Sequence, residues 1–152
     1  MKTKHIFFLL VTACLMAVGC TKEYITQQYI TQGMDMTLID FTVKNSNWQI
    51  RDVDYGNDDE GYFQAVLEVP EITKEVVNQG IVLVSRRYTD NNETIWTPLP
   101  SLFTEKTEDS LYYTTTVDYE WKQGYVYIFV TASDLYAGTS PGDMSFRVAI
   151  QL

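Results

Sequence analysis

The chain holds one histidine, His5, and two cysteines, Cys14 and Cys20, all within its first twenty residues. Beyond them no imidazole or thiol remains to take a proton. Serine–histidine and cysteine–histidine nucleophiles therefore cannot be built from the rest of the chain. Zinc, copper and non-haem iron lose their usual nitrogen and sulfur ligands as well. Carboxylate chemistry is what survives: a paired-acid glycosidase or an oxygen-ligand calcium site. Calcium has one candidate home, the acidic segment Asp52-Val53-Asp54-Tyr55-Gly56-Asn57-Asp58-Asp59-Glu60. There Asp52, Asp54, Asn57, Asp58, Asp59 and Glu60 could supply the six to eight oxygens the ion takes. The spacing begins like a helix-loop-helix calcium loop and then departs from it. Gly56 falls where a ligand belongs, and the twelfth position is Phe63. The competing reading is a solvated hairpin tip, because Asp, Asn and Gly are favoured in turns. For a glycosidase, Asp118 and Glu120 share one strand face, and Glu68 shares a face with its neighbours. Such pairs are common on exposed faces, so the residues point away from an enzyme, and no cofactor beyond possible calcium is suggested.

The second chemical candidate is a row of rings. In Tyr125-Val126-Tyr127-Ile128-Phe129-Val130, strand alternation with Val126, Ile128 and Val130 inward leaves Tyr125, Tyr127 and Phe129 on the opposite face. With Trp96, and with Tyr112 or Tyr136 beside them, these rings could stack on a glycan. Aromatic residues are also good strand formers that pair across strands, so a purely structural use stands beside the binding one.

The elements that must position these groups are short, β-branched and aromatic. Ile39-Asp40-Phe41-Thr42-Val43 alternates with Ile39, Phe41 and Val43 inward, and Trp48-Gln49-Ile50 follows the turn Asn45-Ser46-Asn47. Residues 62–69 alternate with Phe63, Ala65, Leu67 and Val69 on one face. Further strands are expected over 81–88, 94–99, 111–121, 125–132 and 144–152. The clearest inward series are Leu111, Tyr113, Thr115, Val117, Tyr119 and, last, Met144, Phe146, Val148, Ile150, Leu152. Gly, Asn, Asp or Pro bound each run. Residues 35–152 thus predict one all-β domain, a single antiparallel β-sandwich, immunoglobulin-like, of about seven strands. The sole helix candidate is 74–79, a short crossover with Thr73 as N-cap and Gly80 as a left-handed stop. The domain is large enough to bury a core without disulfides.

Upstream, residues 1–19 read as a secretory leader: Lys2 and Lys4, an apolar run from Ile6 to Ala17, and small residues before Cys20. The apolar run is too short for a bilayer span of about 20 residues. Ala17-Val18-Gly19-Cys20 resembles the lipobox of bacterial lipoproteins, with Ala17 where Leu is usual. The resemblance implies a lipid on Cys20 and a membrane anchor there. Leu10-Val11-Thr12-Ala13-Cys14 is a rival that would leave a shorter apolar region. Residues 20–34 carry a five-residue repeat, Tyr24-Ile25-Thr26-Gln27-Gln28 then Tyr29-Ile30-Thr31-Gln32-Gly33. Five matches neither the helix nor the strand period. The repeat reads as an extended, lipidated stalk reaching up to about 50 Å, with an edge strand as the alternative.

Losing Lys2 and Lys4 takes eleven bases to nine against twenty acids, a net charge near −11. Nucleic acid is excluded as a partner, as is an anionic lipid surface gripped by a basic face.

The repeat, Asp40-Phe41-Thr42-Val43-Lys44 with Trp48 beyond it, Glu68-Val69-Pro70-Glu71-Ile72, Gly80-Ile81-Val82-Leu83-Val84 and Phe146-Arg147-Val148 together resemble a family of small Bacteroidetes lipoproteins. The resemblance covers nearly the whole chain through structural motifs. It implies a cell-envelope location, in the outer membrane with the domain surface-exposed or facing the periplasm, and a compact β-domain. It carries over no active or binding residue. Thr21-Lys22-Glu23 is similar to a weak form of that phylum's acidic surface-export signal, and Asp109-Ser110-Leu111 to its O-glycosylation signal, which would modify Ser110. The expected function is that of a non-enzymatic envelope lipoprotein presenting a β-sandwich for protein interaction or a structural role. A glycan-binding accessory of a polysaccharide uptake system and a calcium-stabilised surface adhesin are the alternatives.

Overall fold

The structure is a computed structural model and describes residues 25–32, 36–52, 61–106, 112–134 and 140–152. The described chain forms ten strands: β1 (Ile25–Gln32), β2 (Met36–Val43), β3 (Gln49–Asp52), β4 (Gly61–Glu68), β5 (Ile81–Asp90), β6 (Glu93–Pro98), β7 (Ser101–Lys106), β8 (Tyr112–Lys122), β9 (Tyr125–Ala132) and β10 (Met144–Gln151). One short helix, α1 (Lys74–Gln79), joins β4 to β5. Two antiparallel sheets stack face to face, ordered β1-β2-β10-β5-β6 and β3-β4-β9-β8-β7. This is the all-β sandwich that the alternation requires, with ten strands in place of about seven.

Two of the additional strands have separate causes. Residues 101–106, Ser-Leu-Phe-Thr-Glu-Lys, are half polar and carry a glutamate in the inward register, which masks a strand signature. They nonetheless pair with β8 from Ser101↔Val117 to Lys106↔Tyr112. Of the two readings of the Tyr-Ile-Thr-Gln repeat, the edge strand is the one present over Ile25–Gln32. β1 pairs with β2 from Ile25↔Val43 to Gln32↔Met36, so these residues join the sandwich instead of forming a stalk. An edge strand needs β-propensity and one backbone partner, and the five-residue period opposes neither.

The inner faces follow the alternation closely. Ile39, Phe41 and Val43 of β2, Phe63, Ala65 and Leu67 of β4, Val126, Ile128 and Val130 of β9, and Phe146, Val148 and Ile150 of β10 are buried in one cluster. Leu152 departs from its series: it lies beyond the last ladder pair, Gln151↔Ile81, and is 59% exposed.

Two corners hold the sheets in register. Between β2 and β3, residues Asn45–Asn47 form a 3-10 turn. It is pinned to the segment before β10 by Asn45 N–H to Asp143 (2.9 Å), Lys44 to Asp143 (2.7 Å) and Trp48 Nε1–H to the Gly142 carbonyl (3.2 Å). At the other end, Thr73 Oγ1 accepts from the Val76 amide at 3.3 Å and caps α1 as the sequence predicts. Gly80 does not play the predicted role. Its φ of −94° is not left-handed, so conformational freedom is not why glycine is needed. A Cβ there would lie 2.7 Å from the Gln151 carbonyl and 3.0 Å from the Val76 backbone, so the helix end packs directly on β10.

The edge of β5 beyond β6 is also managed. The Val84 carbonyl accepts from the Leu99 amide (2.9 Å), and the Val82 carbonyl from the Tyr119 hydroxyl of the opposite sheet (3.1 Å). Both bonds occupy acceptors that an added strand would use.

Candidate functional site

The aromatic row stands on the outer face of the second sheet. β9 turns Val126, Ile128 and Val130 into the core, so Tyr125, Tyr127 and Phe129 face away from it. Tyr125 is 38% exposed and the other two are half-buried. Tyr62 of β4 packs edge-on against Phe129, with centroids 5.9 Å apart. Lys122 lies 5.5 Å from the Tyr125 ring centroid and 5.1 Å from that of Tyr127. Its ammonium is held above the usual lysine range by hydrogen bonding to the Tyr127 hydroxyl. At the other end of the face, Arg51 donates to Gln64 (2.9 Å) and Gln49 (3.0 Å). The result is a surface of rings with planar polar groups at its rim.

Trp96 does not belong to that surface. Its strand pairs Arg87 with Trp96, which places it on the outer face of the first sheet. Arg147 covers the indole at 4.1 Å and grips Asp40 with both arms of its guanidinium, at 2.7 and 2.8 Å. Alternation assigns a residue to one side of its strand but not to one of two sheets, so it cannot separate Trp96 from the tyrosines. Tyr112 stands at the far end of β8 from the Lys122–Tyr125 pair, beside Lys106, so it does not extend the row either.

Several candidates lie outside the described residues: Cys20, the calcium candidates Asp54, Asn57, Asp58, Asp59 and Glu60, Ser110 and Tyr136. The strands flanking the acidic segment form a hairpin, with Asp52 opposite Gly61. Among the described residues no group of three or more His, Cys, Asp or Glu side chains is placed to hold a metal ion. Asp118 and Glu120 lie on the outer face, where Asp118 is exposed and accepts from the adjacent Tyr119 amide at 2.7 Å.

One feature has no signature in any single stretch of sequence. At the end of the sandwich where β4, β8 and β10 begin, a cavity of about 350 Å³ opens between the sheets. Phe63, Phe103, Val130 and Met144 form its apolar wall, and Glu105, Tyr113, Thr115 and Asp134 contribute its polar groups. Thr115, only 5% exposed, donates to Glu105 at 2.9 Å. Tyr113 is hydrogen-bonded to the same carboxylate and lies near Asp134, and both raise its hydroxyl above the ordinary tyrosine range. Arg86 reaches in from β5 over the Phe103 ring at 4.2 Å. Burial lowers its guanidinium from the usual arginine value, and Glu105 partly offsets that. The signal that the sequence does hold is polar residues in inward registers: Arg86 after Val82 and Val84, Glu105 after Phe103, and Thr115 before Val117.

No family model matches the chain, and no curated protein or solved structure matches it significantly.

Proposed function

We propose that this protein is a non-enzymatic lipoprotein of the cell envelope, anchored through Cys20, whose β-sandwich docks a protein partner. The carrying observation is an apolar group at the end of the sandwich remote from the start of β1. Ile81 and Leu83 are each 55% exposed, with exposed Leu152 opposite the start of β5 and exposed Val77 on α1. Gln32, Met36, Gln151 and Ile81 stand in one row across the first sheet, so β1 ends where this group lies and begins at the opposite end. Cys20 is five Cα steps from Ile25, a reach of at most about 18 Å. A lipid on Cys20 would thus hold the start of β1 close to the bilayer and turn the apolar group away from it. Ile81 and Leu83 share one face of β5, and exposed apolar side chains side by side mark interaction sites. The absence of histidine and cysteine beyond residue 20 removes the serine–histidine and cysteine–histidine nucleophiles and supports the non-enzymatic reading.

A second reading has its own support. The outward Tyr125, Tyr127 and Phe129 with Tyr62 give a glycan somewhere to stack, which favours a glycan-binding accessory lipoprotein.

One experiment separates the two. A photo-crosslinking residue at Leu83, in cells producing the full chain, should yield a discrete adduct that Ile81→Lys abolishes. A parallel Tyr125→Ala, Tyr127→Ala variant should leave that adduct intact. No adduct, together with loss of polysaccharide binding in the tyrosine variant, would replace the first reading by the second.

A further inference from the structure

We propose that the inter-sheet cavity beside Glu105 is a binding site for a small organic cation, an ammonium group carried on an apolar or ring-shaped body. Its volume of about 350 Å³ lies within the range of small-molecule pockets, and its make-up is theirs: an apolar wall with a few converging polar groups. Those groups are chiefly acceptors. A carboxylate offers about four lone-pair sites. Glu105 uses some for the Thr115 and Tyr113 hydroxyls and keeps capacity for another donor. The same two bonds fix the carboxylate, so a ligand need not order it.

Charge gives the sign of the ligand. Glu105 and Asp134 bring two negative charges to the cavity lining, while Arg86 lies outside the lining, stacked on Phe103, and offsets part of the Glu105 charge from there. The described lining holds two acids and no base, which favours an ammonium over an anion. Carboxylates in a lining without a base draw cations in preference to anions. A bare metal ion fits poorly, because hard divalent cations take six or more oxygens and the wall here is largely aromatic and aliphatic. An ammonium on an apolar body uses both halves of the lining, and rings attract cations through their faces. Two sources can present such a group: a free amine in solution, or the amine of a phospholipid headgroup. The second is within reach if Cys20 is lipidated, because the cavity shares its end of the sandwich with the start of β1. The cavity itself does not depend on the anchor.

The test uses the whole chain in nonionic detergent, isotope-labelled for amide NMR and titrated with phenethylamine and with its neutral analogue 2-phenylethanol. Phenethylamine should give saturable shifts centred on Thr115, Val130 and Met144, and the alcohol should bind at least tenfold more weakly. Glu105→Gln and Asp134→Asn should each weaken the amine about tenfold, while Glu120→Gln on the outer face should not. Should Glu105→Gln fail to fold, Asp134→Asn and the salt dependence of the amine, absent for the alcohol, carry the same test. Equal binding of alcohol and amine, or amine binding indifferent to Asp134→Asn, would overturn the assignment. Vesicles then separate the sources. Cavity shifts with phosphatidylethanolamine but not phosphatidylglycerol assign the headgroup. Cavity shifts with the free amine alone assign a soluble ligand.

Discussion

Replacing Gly80 by Ala tests whether the crossover helix is packed on the sheet or merely hangs beside it. Gly80 has φ −94° and ψ −179°, backbone that alanine adopts without strain. Conformation alone therefore predicts a gain, because alanine restricts the unfolded chain and stabilises by about 0.4–1 kcal/mol at compatible sites. The packing predicts the reverse. The added methyl would sit 2.7 Å from the Gln151 carbonyl and 3.0 Å from Val76 Cα and its carbonyl, and all three are backbone atoms that cannot rotate away. Relief requires the helix end or the last residues of β10 to shift, and such overpacking costs about 1–3 kcal/mol. The net expectation is a loss of roughly 1–2 kcal/mol. For a domain near this size each kcal/mol lowers Tm by about 4 °C, so thermal unfolding should fall by roughly 4–8 °C. Gly124 is the control. Its φ is +78° and a Cβ there would meet nothing within 4 Å, so its requirement is conformational. Gly124→Asn should be better tolerated than Gly124→Ala, because Asn enters the left-handed region more readily. At Gly80 the order should invert, the larger Asn being worse than Ala. A Gly80→Ala variant as stable as the parent would refute the close approach and detach α1 from the end of β10.

Two further outcomes follow from the electrostatics. Asp143 bonds Lys44 and the Asn45 amide, and its carboxyl is held below the usual carboxylate range, first by the lysine and then by the amide. A lowered folded-state pKa contributes stability above the unfolded value of about 3.9 that is lost as pH falls through the folded one. The Tm gap between the parent and Asp143→Asn should therefore be open near neutrality and close below about pH 4. On the first sheet, Arg147 and Asp40 have side chains 27% and 24% exposed. Arg147→Ala should cost about 1–2 kcal/mol in chemical denaturation, and Arg147→Lys should recover little, because an ammonium cannot reproduce the two-armed bond or the stack on Trp96. Full recovery by lysine would show that charge alone is at work.

Alternation suffices to find most of the sandwich because a strand with one buried face must place every second residue inward. Residues 39–43, 62–69 and 125–130 therefore read correctly to the individual side chain. It fails where the sequence period does not record what sets the backbone. β1 pairs with β2 along its whole length, and its five-residue period does not show that. β7 carries Glu105 in its inward register and so looks like a loop. A left-handed stop is the commonest reason for glycine after a helix, yet the reason at Gly80 is a carbonyl on a strand more than seventy residues away. Leu152 continues a pattern past the point where its strand has a partner. In each case the missing information is tertiary: which strand lies alongside, and how close the next backbone comes.

The same logic explains why the aromatic surface is legible in the sequence and the cavity is not. Tyr125, Tyr127 and Phe129 fall on one strand, so a single register fixes their common face. The cavity's polar groups come from β7 and β8 and from residues 134 and 140 on either side of the segment between β9 and β10, and no one register contains more than two of them. Each looks like an isolated imperfection in an inward series. An isolated buried polar group is costly unless it is bonded, so several imperfections in separate strands of one sandwich raise a definite question about whether they meet. Arg86, Glu105 and Thr115 do meet, at the end of the sheets where β8 and β10 begin and β7 finishes. Thr115 and Tyr113 donate to one carboxylate, and Arg86 balances part of its charge from the opposite sheet. Inward polar residues on non-adjacent strands are thus a sequence signal in their own right. These groups are partly solvated, yet Thr115, Tyr113 and Arg86 from two sheets all converge on the single Glu105 carboxylate.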